Sequence, residues 1–352
     1  MKALVYYGPS EYKLEEKQKP QLLPGEVLLK VRAAGICGTD IKIFTHGHHA
    51  IQKPVTTGHE IVGEVVESKS TNQYAKVGNN VLVVTPVGCM KCRYCHAGKQ
   101  NMCPLVADKG HSIGYYCDGG FAEYIRIPSD AVDQDVLIPI PKTTIPLEHF
   151  AICEPLSCVI NGAEKLRITS DDTVVVMGAG PIGCMHVSLA KAKGAKQIIL
   201  ADIDDKKLAL AHVSPADIFV KHEGNNLQKT ILEHTHGEGA DVIIIAAPSG
   251  RGQEDAIELA APLGRISFFG GLPKTAPTIT LNSNRLHYRE LEIYGAYAST
   301  RKQYVEAMNL VLSQKVDTKK LITHIMPLDQ IHEAVDIMKR GEAIKIVLTP
   351  SV

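Results

Sequence analysis

A continuous apolar run, Thr173-Val174-Val175-Val176-Met177, leads directly into Gly178-Ala179-Gly180-Pro181-Ile182-Gly183. This junction constrains the fold more than any other stretch of the chain. A strand that is apolar at successive positions has two faces to cover, as in a parallel sheet packed between helices. Residues 181–193 read as the helix that follows, with Pro181 tolerated in its first turn and Gly194 placed to end it. Strand-like runs at 197–201, 241–247, 265–269 and 290–294 continue the series. Strand–helix alternation over this length predicts a doubly wound parallel sheet, and with it an α/β fold class.

The glycine string is a G-x-G-x-x-G in the strand–turn–helix context that gives it meaning. Gly178 allows the tight turn, Gly180 lets a pyrophosphate approach the backbone, and Gly183 lets helix and strand pack closely. The phosphate charge then faces free N–H groups at the helix start, where Ile182 follows Pro181, which has no N–H of its own. Asp202 closes the next strand, about twenty residues on, where a carboxylate accepts from the ribose 2′-OH of NAD and repels the 2′-phosphate of NADP. The competing reading is that Asp202 caps the following helix, which carries Lys206 and Lys207. NAD is therefore expected rather than NADP, with Lys207 beside the cofactor.

Outside this region the pattern differs. Short strand candidates at 27–31, 61–66, 81–84 and 121–127 are separated by Gly, Pro and Asn, which suggests a barrel-like β-rich domain. Residues 303–313 and 328–339 look helical, and a last strand is expected at 344–348, folding back on the N-terminal part. Within the β-rich region, Cys89, Cys92, Cys95 and Cys103 stand at the spacing C-x2-C-x2-C-x7-C. Four thiolates so close in sequence surround one tetrahedral Zn²⁺ with bonds near ~2.3 Å, and leave no open position, so this zinc is expected to be structural. The lobe at 88–104 offers little that fills a core. The alternative, two disulfides in a secreted loop, fits the rest of the chain poorly. Nine cysteines is an odd number, and the first residues run straight into a strand-like pattern with no signal peptide expected. A cytoplasmic protein is expected. Its 38 basic and 38 acidic residues cancel and form no basic stripe, which argues against nucleic acid and membrane partners.

Two further residues are ambiguous alone. Cys37 lies in Gly35-Ile36-Cys37-Gly38-Thr39-Asp40 and His59 in Gly58-His59-Glu60. A lone cysteine is usually a small buried hydrophobe, and a lone histidine is more often structural. Together with the zinc loop and the glycine motif, in this order and over nearly the whole chain, they resemble the zinc-containing medium-chain dehydrogenases. Cys153-Glu154-Pro155-Leu156 points to the sorbitol (polyol) and threonine dehydrogenase branch, which has glutamate where alcohol dehydrogenases proper carry a cysteine ligand.

The resemblance implies a GroES-like catalytic domain over 1–156 and 297–352 and a Rossmann domain over 157–296. It implies two zinc ions per chain, the catalytic one held by Cys37, His59 and a carboxylate, either Glu60 or Glu154. One thiolate, one imidazole and one carboxylate leave Zn²⁺ neutral overall and still a Lewis acid; a second carboxylate would weaken it. By the same resemblance Thr39 takes the proton of the alcohol, unless it is a helix cap, and hydride passes to the nicotinamide. Lys42 stands where relatives often carry a relay histidine, and Lys345 where they often place a basic residue toward the cofactor phosphates. His46, His48 and His49 are taken as loop residues.

The implied function is NAD-linked oxidation of a secondary hydroxyl on a polyol, or reduction of the matching ketose, by a homodimer or homotetramer. The alternatives within the class are a polyol-phosphate dehydrogenase and an L-threonine 3-dehydrogenase. From another class, the alternative is a non-catalytic NAD-binding or structural protein on the same scaffold.

Overall fold

The computed structural model describes residues 1–51 and 54–350. The chain divides into two compact units, Met1–Ser157 with Ala298–Ser313 and Ile322–Val352, and Cys158–Tyr297 with Gln314–Leu321. Residues 314–321, which the sequence reading groups with the catalytic part, therefore belong with the second unit. Their short helix, Thr318–Leu321, packs on the helix Pro181–Ala192 through Leu321, which is buried.

The second unit is built on a six-stranded parallel sheet. Its spatial order is Ile218–Lys221, Gln197–Asp202, Thr173–Met177, Ala240–Ile245, Ala260–Phe268, Glu292–Gly295. Numbered along the chain this is 3-2-1-4-5-6, the order of the Rossmann fold. The strand Thr173–Met177 is buried at every position, and Val174, Val175 and Val176 are 0% exposed, as the continuous apolar run predicts. The order reverses between this strand and Ala240–Ile245, so the glycine turn opens at the switch point where such sheets bind nucleotides. A histidine lies deep in the covering helix. His186 is 1% exposed, neither ring nitrogen has a hydrogen-bond partner, and its ring stands edge-on to Phe269 at 4.7 Å.

The first unit holds a seven-stranded sheet. Its central strand, Val27–Gly35, pairs with Glu60–Ser68, Tyr124–Ile127 and Lys345–Thr349. The pairing with Lys345–Thr349 brings the end of the chain onto the N-terminal part. Gly35 pairs with both Glu60 and Val347, so the starts of those two strands meet at one place. A second sheet of three strands joins Glu11–Glu16, Lys2–Gly8 and Val55–Thr56. No helix among the described residues is long and apolar enough to cross a membrane.

Candidate active site and metal centres

The glycine turn of the second unit is tightly built. Gly180 is the N-cap of the helix Pro181–Ala192, with Pro181 in its first turn. A Cβ on Gly183 would overlap the carbonyl oxygen of Gly178, so only glycine lets this helix approach the strand end. Asp202 is buried, and its two carboxylate oxygens accept from Ala179 N at 2.7 Å and Asp204 N at 2.9 Å. The cap of the next helix, Asp205–Ala211, is Asp204, which accepts from the backbone of Lys206 and Lys207. Helix capping is thus done two residues further on. Asp202 instead ties the glycine turn to the neighbouring strand, with lone pairs left for a ribose hydroxyl. The side chains of Lys206 and Lys207 are exposed.

In the first unit, Cys37 is the N-cap of the helix Gly38–His46, while His59 and Glu60 stand where the strand Glu60–Ser68 begins. One ligand atom from each of Cys37, His59 and Glu60 lies within 4.8 Å of the others. Sulfur, imidazole nitrogen and carboxylate oxygen form a donor set suited to zinc. Asp40, 0% exposed, reaches both sides of this cluster. Its Oδ2 accepts from Cys37 N at 2.9 Å, and its Oδ1 lies 3.4 Å from His59 Nδ1. A carboxylate on Nδ1 orients the ring and leaves Nε2 for a metal. Burial opposes protonation of His59, yet Tyr115, Asp40 and Cys37 outweigh it and hold its pKa well above the usual imidazole range. The surroundings of the ring therefore favour positive charge, which is the condition a cation site needs.

Lys345 does not reach outward toward a phosphate. It is 2% exposed, and its Nζ donates to the Ile36 carbonyl at 2.9 Å and to Glu60 Oε1 at 2.5 Å. The register of its strand against Gly35 turns it inward, and the attraction of Glu60 and Cys37 keeps its pKa raised against burial. Glu154, in the first turn of the helix Cys153–Glu164, lies outside the group of three. Burial pushes its carboxyl up to about 7, with His59 and Lys345 pulling down and Glu60 and Asp40 pushing up. It thus shares the electrostatic environment of the cluster. Thr39 is half-buried in the first turn of the helix Gly38–His46, inside the cap position rather than on it. Lys42 is exposed.

Cys89, Cys92, Cys95 and Cys103 also bring their sulfurs within 4.8 Å of one another. Cys92 and Cys95 sulfurs are 3.6 Å apart, close to the ~3.8 Å edge of a tetrahedron with ~2.3 Å bonds and far from a disulfide. The backbone N–H of Lys91, chief among several donors, lowers Cys89 to about 6, whereas burial lifts Cys95 to about 12. The apolar cluster here is small: Cys95, Cys103 and Val106, with Leu105, Cys89 and Cys92 against it. Gln134 holds the base of the lobe, exchanging two hydrogen bonds with the backbone of Gly88.

Two residues at the cluster carry no mark in the sequence reading. Asp40 has a signal in principle, since an acidic residue three positions after an N-cap is a capping pattern. Tyr115 has none. Its ring lies 5.7 Å from that of His59, across a contact between segments distant in sequence.

Comparison with known proteins agrees with this geometry. Residues 23–142 match the alcohol dehydrogenase GroES-like domain, and residues 181–313 match the zinc-binding dehydrogenase family. The erythritol/L-threitol dehydrogenase of Mycolicibacterium smegmatis is 31% identical over 100% of this chain and 98% of its own. The sorbitol dehydrogenase of Bacillus subtilis is 32% identical over 100% of this chain and 98% of its own. A crystal structure of a short chain alcohol dehydrogenase from E. coli CFT073, complexed with NADH, superposes with a TM-score of 0.86 at 28% identity, covering 99% of each chain. The chain belongs to the zinc-binding medium-chain dehydrogenase family, in its polyol and threonine dehydrogenase branch, and is an oxidoreductase acting on alcohols.

Proposed function

We propose that this enzyme oxidises a secondary hydroxyl of a polyol, or reduces the corresponding ketose, with NAD as hydride carrier. The observation that carries the reading is the convergence of Cys37, His59 and Glu60 within 4.8 Å, in a chain that also has a strand–glycine–helix nucleotide turn. Zinc held there supplies a Lewis acid that acidifies an alcohol, and NAD supplies the hydride acceptor.

The residues divide the remaining tasks. Cys37 gives a thiolate ligand, and His59 gives Nε2 while Asp40 steadies the other nitrogen. Glu60 offers a carboxylate whose charge Lys345 offsets. Glu154 is the second carboxylate of the site, and either it or Glu60 completes the ligand set. Because Lys345 compensates Glu60, the cluster approaches the one-thiolate, one-carboxylate balance that keeps the ion electrophilic. Thr39 takes the proton of the substrate hydroxyl. In the nucleotide half, Gly178, Gly180, Pro181, Ile182 and Gly183 cradle the pyrophosphate. Asp202 receives the adenosine ribose, with Lys207 at the rim. Cys89, Cys92, Cys95 and Cys103 hold a second, structural zinc. We assign the catalytic role to residues 1–156 and 297–352, apart from the segment 314–321 that packs with the other unit, and nucleotide binding to 157–296. Family kinship and cysteine usage support a cytoplasmic homodimer or homotetramer, which light scattering on the purified protein tests.

Metal analysis combined with a substrate panel tests the whole reading. Two zinc ions per chain are expected, with the highest kcat/KM on free polyols such as sorbitol or erythritol and with NAD over NADP. A single zinc, or turnover that survives complete chelation, would overturn the metal assignment. A preference for L-threonine or for a polyol phosphate would move the enzyme to the corresponding neighbour within the branch.

A further inference from the structure

Tyr115 is the one aromatic side chain whose ring lies against that of His59, at 5.7 Å and tilted by 41°, among the described residues. Its placement is fixed by backbone. Gly119 N donates to Thr56 O, Gly120 N to Gly58 O at 2.8 Å, and Phe121 N to Thr57 O at 3.0 Å. These bonds stitch the loop carrying Tyr115 to the three residues that precede His59. Gly114, at φ +89°, completes the seam: a Cβ there would come within 2.8 Å of the Gly58 carbonyl oxygen. Tyr115 N donates to Ser112 O at 3.0 Å, closing a turn, and Tyr115 is backed by His48, whose ring lies 5.1 Å from its own. His48 is held in turn by Ala50 N, which donates to its Nδ1 at 3.3 Å.

The ring contact with His59 seats this side chain beside the metal cluster. The residue is half-buried. Among the described residues its hydroxyl makes no hydrogen bond, and it is not one of the fully buried orphan polar atoms. A rigidly mounted phenol that is both donor and acceptor thus faces the reaction site with its hydrogen-bonding capacity unused by the protein.

We propose that Tyr115 is a specificity-determining residue, whose hydroxyl hydrogen-bonds the substrate hydroxyl on the carbon next to the one being oxidised. This rests on the polyol reading above and refines it, since a vicinal hydroxyl is what separates a polyol from a simple secondary alcohol. A site that pairs such a hydroxyl disfavours the analogue lacking it, because the protein group is then left without its partner.

The test uses two substrates of one carbon skeleton, 2,3-butanediol and 2-butanol, assayed with NAD on the zinc-loaded parent and on Tyr115→Phe. The parent is expected to prefer the diol. In Tyr115→Phe the ratio of kcat/KM for diol over monoalcohol should fall about five- to tenfold, mainly through KM for the diol. An unchanged ratio, in a variant with parental zinc content and melting temperature, overturns the role of Tyr115 and leaves the polyol reading intact. A parent that shows no preference for the diol and no turnover of sorbitol or erythritol overturns both.

Discussion

The interiors of the two units are built from different materials. In the nucleotide-binding unit the sheet core is aliphatic, with Val174, Val175, Val176, Ile243, Ile244, Ile245 and Ile266 all 0% exposed. In the other unit, ionisable groups are buried together at one point: Asp40 and Glu60 at 0%, Lys345 at 2% and His59 at 7%. Burying a charge is expensive unless it is paired. The pairs Lys345–Glu60 and Asp40–His59 show how this unit meets that condition. The aliphatic core only has to hold a shape that presents a glycine turn. The charged one has to hold a field, and a field requires buried charges with fixed partners.

The comparison breaks most sharply at Lys345. Lys345→Met leaves the Glu60 carboxylate buried near Asp40 and Glu154 without its cation, and should destabilise the protein by about 3–5 kcal/mol in denaturant titrations. The double variant Lys345→Met/Glu60→Gln should recover most of that loss. A single variant as stable as the parent would mean that the buried pair is not what holds this interior together.

A smaller effect is expected where neither aliphatic nor ionic burial dominates, in the four-cysteine lobe. Its apolar cluster is only a handful of side chains, so metal has to supply the cohesion. Cys103→Ser should lower the melting temperature by on the order of 5 °C or more while the chemical step is largely retained. His59→Gln should do the reverse, reducing kcat/KM at least about a hundredfold with a smaller change in melting. Equal melting temperatures for Cys103→Ser and the parent would remove the structural role of that zinc.

The mildest effect belongs to an ionisable side chain buried in the aliphatic unit with no hydrogen-bond partner on either ring nitrogen, His186. Burial lowers His186 to about 3, from an ordinary value of 6.5. The unfolded chain therefore binds a proton that the folded one refuses. The stability at stake is fully present above about pH 6.5 and is lost as pH falls toward 3, at up to about 1.4 kcal/mol per pH unit. Between pH 7.5 and pH 5 the parent should lose about 2 kcal/mol through this residue, a loss absent from His186→Leu when both are unfolded in urea. Identical acid slopes for the two proteins would show that His186 finds a proton partner on folding.

The same contrast explains what could be read in advance. Thr173–Met177 and the glycine turn are legible because the information is local: a run of apolar residues, then three glycines at fixed offsets. The four cysteines are legible for the same reason. Other elements are hidden. Glu11–Glu16, with the sequence EYKLEE, becomes a strand only because it pairs with Lys2–Gly8, and nothing in its polarity announces it. The helix Cys153–Glu164 carries Pro155 in its first turn and reads from sequence mainly as a ligand motif. Lys345 was expected to meet a phosphate. Its true partner is 285 residues away, chosen by the register of two strands that meet at Gly35. Tyr115 depends on a seam between segments roughly sixty residues apart. Composition and periodicity report which side chains a segment offers. They do not report which distant segment will receive them.

Asp40 joins two duties in one carboxylate, fastening the first turn of a helix and bracing the imidazole beside it. Helix ends are where regular structure frays first. Loosening of this one turn would free the imidazole to tumble while the sheet strands stayed paired, so activity is expected to be lost on warming before the bulk of the protein unfolds.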